Sequence, residues 1–129
     1  MIDTHAHLFW KDFEADLDQV IERAKENGIN YIIVPSTDLK TAEKVIELAN
    51  KYDIIYGAVG VHPHDTKEWN KNLLPEFRKL TEHNKIIAIG EIGLDYYYDF
   101  SPREIQIEAF RSQLELAIEL DLPDRKSVV

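Results

Sequence analysis

The feature that most constrains the fold is a short apolar run, residues 86–89, that leads directly into Gly90 and Glu91. An uninterrupted apolar run of this length beside a glycine is typical of a strand buried on both faces, as in a parallel sheet. We predict that this strand ends at Gly90, so that Glu91 lies at its carboxyl end. Ligands of α/β proteins bind at that end of parallel strands. Glu91 is therefore either a functional carboxylate or a salt-bridge partner for a neighbouring strand end.

The rest of the chain alternates between apolar runs and amphipathic segments. Besides the strand at residues 86–89, we predict strands within residues 1–8, 31–34 and 54–61. The predicted helices between them cover residues 13–25, a segment that begins at Thr37 or Asp38 as its cap, and residues 73–82. These assignments follow from the periodicity of apolar residues and from capping signals. Strand and helix thus alternate four times with short connections, which predicts βαβ units on a parallel sheet.

The last helix carries the clearest start signal. Ser101 is a natural cap, Pro102 suits the first helical position, and Glu104 completes a capping box. The residues predicted to face the core are Ile107, Phe110, Leu114, Ala117 and Ile118.

Two histidines near the start of the chain form a His-x-His pair. Side chains alternate along a strand, so His5 and His7 are expected on the same side, a few ångströms apart. Two imidazoles together with Glu91 suit a divalent transition metal. The alternative is a solvated N-terminus that happens to hold two histidines. The chain has no cysteine, which excludes disulfides and thiolate metal sites.

More polar and aromatic side chains follow the third and fourth strands. His62 and His64 flank Pro63 and are expected either to contact an anionic substrate or to lie in a solvated turn. Asp95 either orients a ligand or caps its loop. Residues 96–98, three tyrosines, either stack on a base or pack over the mouth of a barrel. In a (β/α)₈ barrel, all of these strand ends would surround one mouth.

The chemistry expected of such a site is hydrolysis. A metal held by imidazoles and a carboxylate activates water, a second metal stabilises the leaving oxygen, and Glu91 is the residue placed to bridge two metals. The net charge of −9 argues against a nonspecific nucleic-acid binder with a basic surface, but it leaves metal-assisted phosphate chemistry open. No leader or long apolar run is evident, so we expect a cytoplasmic protein without membrane contact.

Three motifs together resemble the N-terminal signatures of the TatD family of metal-dependent hydrolases. They are Asp3-Thr4-His5-Ala6-His7, Gly60-Val61-His62-Pro63-His64 and Gly90-Glu91-Ile92-Gly93-Leu94-Asp95-Tyr96. The resemblance extends over residues 1–123. It implies the N-terminal half, four βα units, of a TIM (β/α)₈ barrel, in a deoxyribonuclease that cleaves DNA phosphodiester bonds.

The resemblance also implies roles for individual residues. His5 and His7 would bind one divalent metal, catalytic Glu91 would bridge two, and His62 would lie close to the scissile phosphate as a substrate-binding residue. Zinc, manganese, iron and magnesium all remain open as the metal. Two further readings also stay open: a hydrolase of the same family that cleaves another ester or amide, and a non-catalytic half-barrel module.

The end of the chain departs from the family pattern. Family members are about twice as long, as a full barrel of ~250 residues requires, and they continue past Pro123 into an apolar fifth strand that ends in another histidine ligand. Here residues 124–129 stand in its place, and their sequence is one that a common sequencing-adapter DNA encodes. We therefore expect a partial barrel domain over residues 1–123 and a non-native tail over 124–129. The alternative is a genuine short protein with a divergent C-terminus. The fragment itself should be a poor nuclease with no obligate protein partner, and its open sheet edges should favour self-association.

Overall fold

The computed structural model describes all 129 residues and is built on one sheet of five parallel strands. In chain order, and also in spatial order, the strands are β1 (Ile2–Asp3), β2 (Tyr31–Pro35), β3 (Ile55–Val59), β4 (Ile86–Leu94) and β5 (Asp124–Val128). Every neighbouring pair is parallel, so each connection must cross over the sheet. This order of strands and helices is that of half a (β/α)₈ barrel, which confirms the predicted fold class.

Four α-helices connect the strands: α1 (Leu17–Glu26), α2 (Leu39–Lys51), α3 (Leu74–Leu80) and α4 (Arg103–Glu119). The core lies between these helices and one face of the sheet. Along β2, Ile32 and Val34 are buried against the helices, whereas Ile33 points to the opposite, more open face. None of the helices combines the length and the hydropathy that crossing a membrane requires.

The start of α2 is decided by Asp38, one of the two predicted caps. Its carboxylate accepts a hydrogen bond from the backbone N–H of Thr41 over 2.7 Å, and the Thr41 hydroxyl accepts one in return from the backbone N–H of Asp38 over 3.0 Å. This reciprocal pair satisfies backbone donors that the first turn of a helix leaves free.

The predicted cap of α4 was wrong. Pro102 occupies the capping position, and the Ser101 hydroxyl instead donates to the carbonyl oxygen of His64 over 2.8 Å. The same hydroxyl accepts a hydrogen bond from the backbone N–H of Lys67 over 3.1 Å. Ser101 therefore ties the loop after β3 to the start of α4 rather than capping the helix.

The predicted inner face of α4 was also partly wrong. Ile118 is 79% exposed and Ile107 is 41% exposed, whereas Gln106 and Gln113 are buried. The Gln113 side-chain oxygen accepts a hydrogen bond from the backbone N–H of Val61 over 2.7 Å. Buried polar groups need hydrogen-bond partners. The side-chain amides of Gln106 and Gln113 are such partners for backbone groups of the loops, which would otherwise be unsatisfied. Apolar periodicity alone cannot identify such positions.

Strands β4 and β5 differ most from expectation. Strand β4 continues past Gly90 to Leu94, so Glu91 lies within the strand rather than beyond its end. Four strands were expected, but Asp124–Val128 pairs with β4 as a fifth, with a register shift between Gly90 and Ile92. Strand pairing joins backbone groups and needs no apolar side chains, which is why a polar segment can form it. The interpretation of residues 124–129 as a non-native tail stays a prediction.

Candidate functional site

The sheet brings His5, His7 and Glu91 together. Nε2 of His5 lies 3.0 Å from Nε2 of His7 and 2.9 Å from Oε2 of Glu91. Nε2 of His7 lies 3.2 Å from the same carboxylate oxygen. In a tetrahedral site with metal–ligand bonds of ~2.0–2.1 Å, ligand atoms lie about 3.3 Å from one another. The three atoms are therefore spaced as the ligands of one metal ion would be.

Glu91 is buried and held by both its backbone and its side chain. Its backbone N–H donates to the carbonyl oxygen of Ser36 over 2.9 Å, and its Oε1 accepts a hydrogen bond from the Ser127 hydroxyl over 2.8 Å. Burial by itself would raise the pKa of this carboxyl. The neighbouring His7 imidazole, the Ser127 hydroxyl and the His5 imidazole outweigh burial and lower the pKa to about 2. Glu91 is thus an anion at neutral pH, as a metal ligand must be.

The hydrogen bond of His7 fixes which of its nitrogens is free. Its Nδ1 faces the carbonyl oxygen of Pro35 at 3.0 Å, and a carbonyl can only accept, so Nδ1 carries the proton. In the neutral ring, Nε2 then presents a lone pair to the Glu91 carboxylate. Two acceptors this close repel each other unless a proton or a cation lies between them. The indole of Trp10, stacked on the His7 ring with centroids 4.8 Å apart, holds the imidazole in this orientation.

His5 has the opposite arrangement. The guanidinium nitrogen Nη2 of Arg125 lies 2.6 Å from Nδ1 of His5, and arginine can only donate. The neutral His5 ring therefore carries its proton on Nε2, the atom that faces Glu91. His7 and Glu91 fit a metal ion as they stand, whereas His5 fits one only when Arg125 leaves its Nδ1.

His62 lies beside this cluster as a hydrogen-bond donor rather than a ligand. Its Nδ1 accepts a hydrogen bond from the backbone N–H of His64 over 3.2 Å, which leaves the proton on Nε2. That nitrogen lies 3.8 Å from Oε1 of Glu91. Burial lowers the pKa of His62 despite the opposing charge of Glu91, so the ring is neutral at pH 7. This geometry agrees with the predicted substrate-binding role, which stays a prediction.

Asp95 caps its loop, which is one of the two roles between which the sequence left a choice. Its Oδ1 accepts hydrogen bonds from the backbone N–H groups of Tyr97 and Tyr98 over 3.0 and 2.9 Å, which caps the loop. Its Oδ2 lies 2.5 Å from Nε2 of His64 and orients that ring. Burial would raise the pKa of Asp95, but the hydrogen bonds from Tyr98 and His64 lower it on balance.

Sequence reasoning missed Arg125 and Ser127 as residues of the site. Both lie in a polar segment without the apolar pattern by which strands were recognised. It also missed Gln106, whose side-chain oxygen accepts a hydrogen bond from the backbone N–H of Asp95 over 2.9 Å. The available signal was a glutamine within an otherwise apolar stretch of α4, and such a residue is buried only when it has partners.

Comparison with known proteins places this geometry in a family. The model of the TatD related DNase family matches residues 2–124. The "Uncharacterized metal-dependent hydrolase YabD" of Bacillus subtilis is 44% identical over 123 residues, which make up 95% of this chain and 48% of that protein. The "3'-5' ssDNA/RNA exonuclease TatD" of Erwinia tasmaniensis is 38% identical over 124 residues, again 95% of this chain and 48% of that protein.

A solved structure agrees with the fold in detail. The crystal structure of YJJV, a TatD homolog from Escherichia coli, matches with a TM-score of 0.90 at 34% identity, and it covers 99% of this chain and 50% of that chain. The chain spans about half the length of the curated relatives that it matches.

Proposed function

Because the chain belongs to the TatD family of metal-dependent hydrolases, we propose that its protein is a divalent-metal-dependent deoxyribonuclease that cleaves phosphodiester bonds of DNA. The observation that carries this proposal is the convergence of His5, His7 and Glu91, with their facing atoms no more than 3.2 Å apart. A relative named as an ssDNA/RNA exonuclease supports nucleic acid as the substrate class.

The two oxygens of Glu91 support its assignment as a bridging residue. Oε2 faces the two imidazoles of His5 and His7, whereas Oε1 faces Ser127 and His62. As a bridging residue, Glu91 would offer one oxygen to each of two divalent ions. A divalent ion at this site, whether zinc, manganese or magnesium, supplies an activated water and neutralises charge on the leaving oxygen.

The other residues of the chain bind and orient the substrate in this proposal. The Nε2–H of His62 points across Glu91 and can donate to a non-bridging oxygen of the phosphate. A neutral imidazole suits this task, because its Nε2–H can donate to the phosphate while its Nδ1 accepts the hydrogen bond from the backbone N–H of His64. Asp95 and Ser101 hold His64, whose backbone N–H fixes the proton of His62 on Nε2.

The decisive experiment is a titration of this chain with Zn²⁺ and Mn²⁺, paired with an assay of DNA hydrolysis in the same metals and in EDTA. We expect Glu91→Gln to weaken metal binding at least tenfold and to abolish hydrolysis, while the circular dichroism spectrum stays unchanged. The matched control is Glu108→Gln, which removes the same charge from an exposed position on α4. Wild-type metal affinity and turnover in Glu91→Gln would refute the proposal.

The chain by itself should hydrolyse DNA slowly, since it supplies three candidate ligands to a centre that would hold two ions. Metal binding is therefore the primary measurement, and hydrolysis is the secondary one. Parallel assays with a carboxylic ester and a lactone separate a deoxyribonuclease from the alternative hydrolase of the same family. A chain that binds metal but cleaves none of these substrates would favour the non-catalytic half-barrel.

A further inference from the structure

The loop between β4 and α4 exposes three aromatic side chains. Tyr97 is 75% exposed, Tyr98 is 58% exposed and Phe100 is 62% exposed. The rings of Tyr98 and Phe100 are stacked, with centroids 5.4 Å apart and planes 27° from parallel, and Tyr97 packs edge-on against Tyr98 at 4.9 Å. Single exposed apolar residues are common, but a stacked aromatic pair on one loop is a contiguous surface that could bind a partner.

This aromatic pair is continuous with the candidate site. The His64 ring packs edge-on against Tyr98 at 5.6 Å and against Phe100 at 4.8 Å. His64 also packs edge-on against His62 at 4.5 Å, and Nε2 of His62 lies 3.8 Å from Oε1 of Glu91. A strand of nucleic acid with its phosphate at His62 and Glu91 would thus pass beside the pair.

The loop that carries the pair is held in place by hydrogen bonds rather than by contact with a partner. Asp95 accepts from the backbone N–H groups of Tyr97 and Tyr98, and the side-chain amide of Gln106 donates to the carbonyl oxygens of Asp95 and Ser101. A surface that is already ordered loses little conformational entropy on binding.

The charges around the loop favour contact with bases over contact with phosphates. Asp99 is paired with Arg103 at 3.0 Å, and Asp95 is paired with His64, so neither carboxylate faces an approaching ligand without a partner. The guanidinium of Arg103 lies over the ring of Tyr96 at 4.6 Å. The net charge of −9 disfavours binding through the phosphate backbone alone, and the flat aromatic faces offer contact that does not depend on charge.

From these contacts we propose that Tyr98 and Phe100 form a stacking surface for an unpaired nucleobase of a single-stranded nucleic acid. The inference rests on the proposed function, because it names the substrate class of the same site. Stacking on an aromatic ring tolerates any base, and it requires that the base is not already stacked within a duplex. The surface therefore selects single strands without selecting a sequence.

The test is fluorescence anisotropy of this chain with a fluorescein-labelled ten-nucleotide thymidine strand, in EDTA and at low salt so that nothing is cleaved. The comparison strand has the same backbone with abasic positions, so that it retains the phosphates and loses the bases. We expect the base-containing strand to bind more tightly. The double variant Tyr98→Ala/Phe100→Ala should weaken its binding about 5- to 150-fold, and it should leave the abasic strand unchanged.

Two further variants control for loss of structure. The exchange Tyr98→Phe/Phe100→Tyr keeps both aromatic faces and should retain binding. Ile118→Ala removes an exposed apolar side chain near the far end of α4 and should have no effect. Equal affinity for the base-containing and abasic strands, or no binding of either, would overturn the proposal. So would a double variant that changes only the solution mass, since the pair would then join copies of the chain.

The outcome also separates this inference from the proposed function. Base-dependent binding by a chain that binds neither Zn²⁺ nor Mn²⁺ would leave the stacking surface in place and refute the metal-dependent deoxyribonuclease. Metal-dependent cleavage with unaltered binding and KM in the double variant would refute the stacking surface and leave the deoxyribonuclease in place.

Discussion

Arg125 donates a hydrogen bond from Nη2 to Nδ1 of His5 over 2.6 Å, so the last strand of the sheet sets the protonation of the first histidine in the chain. The bond forces the proton of the neutral His5 ring onto Nε2. That is the nitrogen which a metal bound between His7 and Glu91 would need as a third ligand. The contact therefore opposes metal binding at His5.

The first prediction is that Arg125→Met strengthens metal binding. Losing this donor frees His5 to present a lone pair on Nε2, and losing the cation removes its repulsion of a divalent ion. We expect the Zn²⁺ affinity to rise about tenfold, within the range by which partners of metal ligands alter affinity. Isothermal titration of the two proteins measures the change.

The control for that prediction is Lys126→Met. It removes the same charge from the next position, where the side chain pairs with Asp124 instead of touching the site. An equal gain in Zn²⁺ affinity in both variants would show that the change in net charge, rather than the loss of the His5 contact, causes the effect. An unchanged or weaker affinity in Arg125→Met would contradict the role given to the His5 contact.

A second prediction concerns His62, which we expect to act on substrate binding rather than on metal binding. His62→Ala removes one donor to the phosphate, so KM should rise about tenfold, while kcat stays within about threefold. The Zn²⁺ affinity should not change, because Nε2 of His62 carries a proton and is no ligand. His62→Gln, which keeps a donor on a side chain of similar length, should recover part of the loss. A loss of metal affinity in His62→Ala would show instead that His62 is a ligand.

A third prediction links Asp95 to stability at neutral and acidic pH. The pKa of this carboxyl is lower in the folded chain than in the unfolded chain, so its charged form stabilises the fold. That stabilisation is present above the unfolded value of about 4 and disappears as the pH falls through the lower folded value. Asp95→Asn should therefore lower the free energy of unfolding by about 1–3 kcal/mol at pH 7, and the difference should shrink below pH 4.

Urea denaturation at both pH values measures this difference between the wild type and Asp95→Asn. Asp99→Asn serves as the matched variant, because Asp99 lies on the same loop but pairs with Arg103 at the surface. Surface pairs contribute little, so this variant should change stability by less than about 1 kcal/mol. A pH-independent loss in Asp95→Asn would show that its carboxylate charge is not what stabilises the loop.

A fourth prediction is that the 129-residue chain associates with itself through the concave face of the sheet. An apolar groove of about 270 Å³ opens there, lined by Ile2, Tyr31, Ile33, Tyr56 and Ile87. Covering this face removes apolar surface from water, so sedimentation should show a mass above 15.0 kDa at micromolar concentration. Ile33→Thr/Ile87→Thr should shift the distribution toward monomer.

Ile118→Thr is the control for that double variant. It makes the same substitution at an exposed isoleucine on α4, away from the groove. It should leave the mass distribution unchanged. A wild-type chain that remains a monomer throughout would contradict the predicted self-association.

Much of the fold could be predicted because its signals are local. The apolar run before Gly90 marked β4, the spacing of apolar residues marked α1, and Asp38 marked the start of α2. The same alternation of strands and helices predicted that His5, His7 and Glu91 would meet. The inference worked because parallel strands must all end on the same side of the sheet.

The sequence by itself therefore determined the order of the strands and α-helices from β1 to α4, the half-barrel and the membership of the candidate metal cluster. Only the tertiary structure decided where the protons of that cluster lie and which buried polar groups support it. The proton of His5 depends on Arg125, 120 residues away, and the chain encodes that pairing in no local pattern. The same holds for Gln113 and the backbone of Val61, 52 residues apart, which meet only because α4 packs against the loop after β3. Hydrogen bonds between distant residues depend on how whole helices and strands pack, and the periodicity of apolar residues in the sequence does not predict them.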